Sequence, residues 1–184
     1  MVKPMSEPAA EVAEQNPMQK VRIEKLTINI AVGKSGEPLE HAAKVLEQLT
    51  GKKACRRKAK KTIKTFDIRK GEPIACLVTL RRDDAVGFLK RALEAANNRL
   101  NASSFDNAGN LTFGIKEHIE IPGTKYIPEI GIYGMNVSLT LERPGYRVRR
   151  RRIARSRIGG AHKLTKQDAI EFMKEKFGVE VVGE

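Results

Sequence analysis

Two stretches of this 184-residue chain concentrate side chains suited to holding phosphate. Between Cys55 and Ile74 there are eight Lys or Arg, interrupted by Ala59, Thr62, Ile63 and Phe66, with a Gly71-Glu72-Pro73 turn near the end. Between Arg147 and Arg157 seven of eleven residues are Arg (Arg147, Arg149, Arg150, Arg151, Arg152, Arg155 and Arg157), followed by Gly159-Gly160. A guanidinium fork bonds phosphate oxygens in pairs, whereas a lysine neutralises them as a point charge. Two other groups imitate active sites. Gly33-Lys34-Ser35 follows an alternating run and precedes a helical one, as a nucleotide-binding loop would. That motif needs a Gly five residues before the Gly-Lys pair, and Ile28 stands there in mid-strand. His118 lies close to Glu117 and Glu120, but no second His or Cys falls at ligand spacing, so a surface histidine is expected. No catalytic constellation, metal site or cofactor is expected.

The distribution of charge says more than its total of +13. Residues 52–70 carry a net +9, residues 143–163 another +9, and the remainder −5. A near-neutral body with two concentrated basic segments is the electrostatic signature of a polyanion binder. Trp is absent, which argues against an aromatic base-stacking sheet. Cys55 and Cys76 form no zinc motif or disulfide framework and suit a reducing compartment. No apolar run approaches the roughly 18 residues of a membrane span, and the N-terminus lacks a signal-peptide pattern. An intracellular protein with no membrane partner and no small-molecule substrate is expected.

Alternation and helical spacing supply the elements that must position these segments. Residues 1–17 hold three Pro and almost no large apolar side chains, and read as a flexible tail. From Arg22 to Val32, Leu26, Ile28, Ile30 and Val32 alternate with Lys25, Thr27, Asn29 and Ala31, a strand with one buried face. Leu39, Ala42, Ala43, Leu46 and Leu49 form a helix stripe stopped by Gly51. The first basic stretch has the spacing of a partly ordered loop or an edge strand. A second strand runs over Ile74–Leu80, and a long helix begins at Asp83-Asp84 with a stripe extending to Ala96 and Leu100. Residues 101–110 read as a loop. Leu111, Phe113 and Ile115 mark a third strand; Met135, Val137, Leu139 and Leu141 mark a fourth, whose polar face carries Asn136, Ser138 and Thr140. Residues 120–134 form an irregular connection. Thr165 and Asp168 make a capping box for a last helix that Gly178 closes.

Several of these runs resemble a known family. Leu46-Glu-Gln-Leu-Thr-Gly-Lys-Lys-Ala-Cys-Arg-Arg-Lys-Ala-Lys-Lys-Thr62 is similar to a signature of the large-subunit ribosomal protein five family, which binds 5S rRNA. The likeness continues through Phe66–Ile74 and Thr79-Leu80-Arg81, and includes Ile28–Gly33 upstream and Phe113–Glu117 downstream. Arg143-Pro-Gly-Tyr and the Arg run through His162–Ala169 resemble archaeal and eukaryotic members. The extra N-terminal helix of bacterial members is missing, and Ala31 stands where a Gly is common.

The resemblance implies an α+β fold, an antiparallel sheet backed by helices on one face, with long basic loops. It implies one domain over residues 18–178, including the Arg-rich segment 143–163, with residues 179–184 as a C-terminal tail. It implies 5S rRNA contacts from the polar sheet face (Lys25, Thr27, Asn29, Thr79, Arg81) and from Arg56, Arg57, Lys58, Lys60 and Lys61. Thr62, Lys64, Thr65, Phe66, Ile68, Arg69 and Lys70 would form a projecting finger for P-site tRNA. The implied partners are 5S rRNA, large-subunit rRNA, P-site tRNA, a neighbouring 5S-rRNA-binding protein and a small-subunit head protein across an intersubunit bridge. The implied setting is cytoplasmic and ribosome-bound, without enzymatic activity. The alternative is a nucleic-acid-binding regulator outside the ribosome. It would need a basic helix for a DNA groove, whereas the charge here lies in loops.

Overall fold

The computed structural model describes residues 16–124 and 127–183. The expected tail over residues 1–17 lies outside them, apart from Asn16 and Pro17. In chain order the elements are β1 (Arg22–Ala31), α1 (Glu37–Thr50), β2 (Cys55–Lys58), β3 (Pro73–Leu80), α2 (Arg82–Ala95), β4 (Arg99–Asn101), β5 (Leu111–Ile115), β6 (Met135–Glu142), α3 (Arg147–Arg150), α4 (Lys166–Phe177) and β7 (Glu180–Val182). Five strands form an antiparallel sheet in the order β2-β3-β1-β6-β5. The α+β architecture with helices on one sheet face is as the sequence implies.

Period-two alternation decides which face is covered. Leu26, Ile28 and Ile30 of β1, Cys76, Val78 and Leu80 of β3, Leu111, Phe113 and Ile115 of β5, and Val137 and Leu139 of β6 are all buried. They meet the apolar stripes of α1 (Leu39, Ala42, Val45, Leu46, Leu49) and α2 (Ala85, Phe88, Leu89, Ala92, Leu93) in one core. α1 lies against β3, and α2 against β1.

The helix ends follow local chemistry. Gly51 closes α1 at φ +65°, its N–H donating to Glu47 O at 2.8 Å. Thr165 and Asp168 make the expected reciprocal cap on α4, and Gly178 ends that helix.

Three expectations need correction. The α2 stripe does not reach Leu100, because Asn97 and Asn98 take φ values of 54° and 53° and turn the chain out of the helix. Leu100 instead lies buried on β4. Residues 179–184, expected as a tail, contain β7, which pairs parallel with β4 through Arg99/Glu180, Leu100/Val181 and Asn101/Val182. Val179 is buried beside it and anchors the segment.

His118 is not on the surface: it is 2% exposed. Its backbone N–H donates to Tyr133 O at 3.0 Å, and its Nδ1 accepts the Tyr133 N–H at 3.3 Å. Nearby Gly134 is obligatory for packing, since a Cβ there would sit 2.9 Å from Lys116 O.

Candidate nucleic-acid interface

The sheet face turned away from the helices carries no core. Directly paired residues on neighbouring strands share a face, so the register lines up its side chains. One row is Thr79, Thr27, Ser138 and Thr112; the next is Leu77, Asn29, Asn136 and Gly114. Thr112 Oγ1 donates to Ser138 Oγ at 3.2 Å. Lys25 stands opposite Thr140 on the same side. The face is part-buried to exposed and is made mostly of small uncharged hydroxyls and amides, groups that fix register on RNA without demanding a countercharge. Of these, Asn136, Ser138 and Thr112 were not among the expected contacts. Their signal was present in the β6 and β5 alternation, but only the strand order brings them beside Thr27 and Asn29.

The first basic stretch begins on edge strand β2. Arg57 pairs with Ala75 and joins the open face, whereas Arg56 pairs with Cys76 and turns to the helix side. There its guanidinium meets Glu40 of α1 at 3.5 Å. Lys58 follows a bulge opposite Pro73, and Lys60 and Lys61 are exposed. The finger then extends the β2–β3 hairpin rather than hanging as a loop. Ala59 N–H donates to Glu72 O, Gly71 N–H to Ala59 O, and Ile63 and Ile68 exchange two bonds near the tip. Lys64, Thr65 and Phe66 form a single 3-10 turn there, with Asp67 left-handed at φ 54°. Phe66 is 67% exposed. Thr62 Oγ1 accepts the Lys70 N–H at 3.0 Å, leaving the Arg69 and Lys70 side chains exposed.

The Gly33–Gly36 loop braces the finger's base. The Ser35 hydroxyl donates to Glu72 at 2.6 Å, and the Arg69 backbone N–H donates to the same carboxylate at 3.1 Å. These bonds, the Ser35 one foremost, hold the Glu72 carboxyl below the ordinary carboxylate range. At the other side of the hairpin, burial pushes the Cys76 thiol up, which suits packing rather than reactivity.

The Arg-rich segment starts and ends at a pinned base. The Tyr146 hydroxyl donates to His162 O at 3.2 Å and accepts the Leu164 N–H at 2.9 Å, while His162 Nε2 meets Pro144 O at 2.8 Å. Arg143 binds Asp168 at 3.2 Å and ties this base to the start of α4. Within the segment the arginines divide. Arg150 bonds Glu24 and also reaches Glu142 at 2.6 Å. Glu142 is 4% exposed and takes two further bonds from Arg22. Arg81 lies 3.8 Å from Glu24 in the same network. Arg147, Arg149, Arg151, Arg152, Arg155 and Arg157 are exposed and, among the described residues, have no carboxylate at salt-bridge distance.

Pairing direction sets the relation between the segments. Ala31 pairs with Ala75 at the end of the sheet from which the finger leaves, and Arg22 pairs with Glu142 at the end from which the Arg segment leaves. β1 has ten residues, about 33 Å of extended chain. The two cationic segments therefore leave opposite ends of one mostly uncharged, hydrogen-bonding face, on which Lys25 and Arg57 are the cations named above. Among the described residues there is no grouping of His, Cys, Asp and Glu fit to hold a metal ion, and no helix long and apolar enough to cross a membrane.

Residues 16–69 match the family Ribosomal protein L5, and residues 73–175 match the C-terminus of that ribosomal family. The chain is 57% identical over 166 residues to the large ribosomal subunit protein uL5 of Pyrobaculum aerophilum, covering 90% of this chain and 93% of that one. It is 51% identical over 172 residues to that of Sulfolobus acidocaldarius, covering 94% and 97%. With Nitrosopumilus maritimus uL5 it shares 49% over 167 residues, covering 91% and 96%. The strand order, the exposed basic hairpin and these likenesses lead to one assignment: the chain belongs to the ribosomal protein L5 family, a family of ribosomal proteins and not of enzymes.

Proposed function

We propose that the protein is a structural constituent of the large ribosomal subunit that clamps 5S rRNA. Its open sheet face supplies register, and Arg57, Lys58, Lys60 and Lys61 grip the adjoining phosphates. The finger from Thr62 to Lys70 reaches P-site tRNA, with Phe66 as its exposed apolar contact and Lys64, Arg69 and Lys70 as its cations. The Arg segment engages large-subunit rRNA. A neighbouring 5S-rRNA-binding protein and a small-subunit head protein complete its partners, in a cytoplasmic ribosome.

The observation that carries this reading is the placement of two cationic segments at opposite ends of a face made mostly of uncharged hydroxyls and amides. Cations displace counterions from phosphate, while hydroxyls and amides add orientation at little desolvation cost. Folded RNA fits such a surface because it is read through shape and unpaired bases, the narrow A-form major groove being closed to side chains. A regulator reading duplex DNA would present a basic helix, and α3, the α-helical turn in the Arg segment, is only four residues long. Competition binding tests the assignment. Transcribed 5S rRNA stays bound when duplex DNA is added at equal strand concentration; displacement of the RNA by DNA would reject it.

A further inference from the structure

One concavity of about 1020 Å³ lies where the Arg segment folds back over the Arg22 end of the sheet, between that segment and the 107–110 turn. Its size is in the range of sites that enclose small organic groups rather than helices. The lining is of three chemical kinds. Arg149, Arg155, Arg157 and Lys163 bring positive charge. Asn107 and Thr140 bring neutral donors and acceptors, and Leu141, Ile158 and Leu164 bring an apolar wall. Tyr146 also lines it; with its hydroxyl engaged by His162 and Leu164, only ring surface is left for a guest.

The charges at this groove are sorted in a way that a solvated loop would not require. Glu24 is the acid in the lining, and its carboxylate is already met by Arg150 and Arg81. Arg149, Arg155, Arg157 and Lys163 have, among the described residues, no carboxylate at salt-bridge distance. A guest therefore meets unspent positive charge beside a wall of apolar and amide groups. Free phosphate would use only the cations. A duplex is too wide to enter and would use only the rim. A nucleotide with its base turned out of a helix uses all three kinds of lining: phosphate on the cations, base face on the apolar wall and Tyr146, base edge on Asn107 and Thr140.

We infer that this groove seats a single unpaired nucleotide of RNA. The inference rests on the proposed role as an rRNA binder and adds to it a site away from the finger and from the centre of the sheet face. The test uses the full chain with five short RNA hairpins: one fully paired, and four bearing a single bulged A, C, G or U. At least one bulged hairpin binds about tenfold more tightly than the paired one, the preference expected when a base edge is read by a good hydrogen-bonding pair. In Asn107→Ala, with folding checked by its melting temperature, that ratio falls by at least about threefold. Four bulged hairpins within about twofold of the paired one, while 5S rRNA still binds, would overturn the groove and leave the rRNA reading standing. An unchanged ratio in Asn107→Ala, or displacement of the bulged hairpin by a short oligo-glutamate at equal concentration, would also overturn it. Failure to bind 5S rRNA at all would instead remove the reading beneath it.

Discussion

His118 shows how a single side chain changes meaning once its neighbours are known. Burial holds its imidazole below the ordinary range, although Glu117 pulls the other way. The unfolded ring titrates near 6.5. As pH falls through that value, the unfolded chain takes a proton that the folded chain refuses, so stability declines until the folded ring protonates too. His118→Gln retains an acceptor for the Tyr133 N–H and removes this titration. Urea unfolding between about pH 7 and pH 5 gives a flatter stability profile for the variant than for the wild type; superimposable profiles would refute the buried-histidine account. Similar context decides Arg56 and Arg150. Nothing in the Arg run marks Arg150 as different from Arg149 or Arg151, yet Glu24 and Glu142 occupy it. Those carboxylates come from β1 and the end of β6, so the distinction is invisible without the pairing of the two strands.

Among the elements, those with long periodic patterns were legible: the strands around Ile28, Val78, Phe113 and Val137, and helices α1 and α4. Alternation and capping are local signals, and one sequence window contains them. The β4–β7 pair is different. Each strand has three residues and its partner lies some 80 positions away, so neither could be recognised alone. The finger was half legible. Its charge and its Gly71-Pro73 turn were visible, but the Ser35–Glu72 brace depends on the loop that follows β1, 37 positions earlier in the chain. This brace makes the finger a separable element. Arg69→Ala with Lys70→Ala leaves its backbone ladder intact, because both residues contribute backbone bonds there. The double variant keeps its affinity for 5S rRNA within about threefold while P-site tRNA dissociates faster from reconstituted subunits. A large loss of 5S rRNA affinity, or an unchanged tRNA lifetime, would break the division of labour between finger and anchor.

At the scale of the whole molecule, two basic segments outweigh a body of net −5. Salt dependence counts the phosphates they meet. Replacing Arg57, Lys58, Lys60 and Lys61 together by Ala lowers 5S rRNA affinity and flattens the log–log salt slope by about 3, at roughly 0.7–0.9 for each phosphate no longer neutralised. A slope equal to the wild type's would show that the β2 anchor does not touch phosphate. The opposite exits of the two segments also have a mechanical consequence. The finger continues β3, the Arg segment continues β6, and β1 lies between them, bonded to both. Ladder hydrogen bonds run across the strands, so tension between RNAs held at the two ends is directed along the strands and loads these bonds side by side. The central strands then resist as a sheared joint, in which the bonds share the load, and not as a zipper that opens one bond at a time.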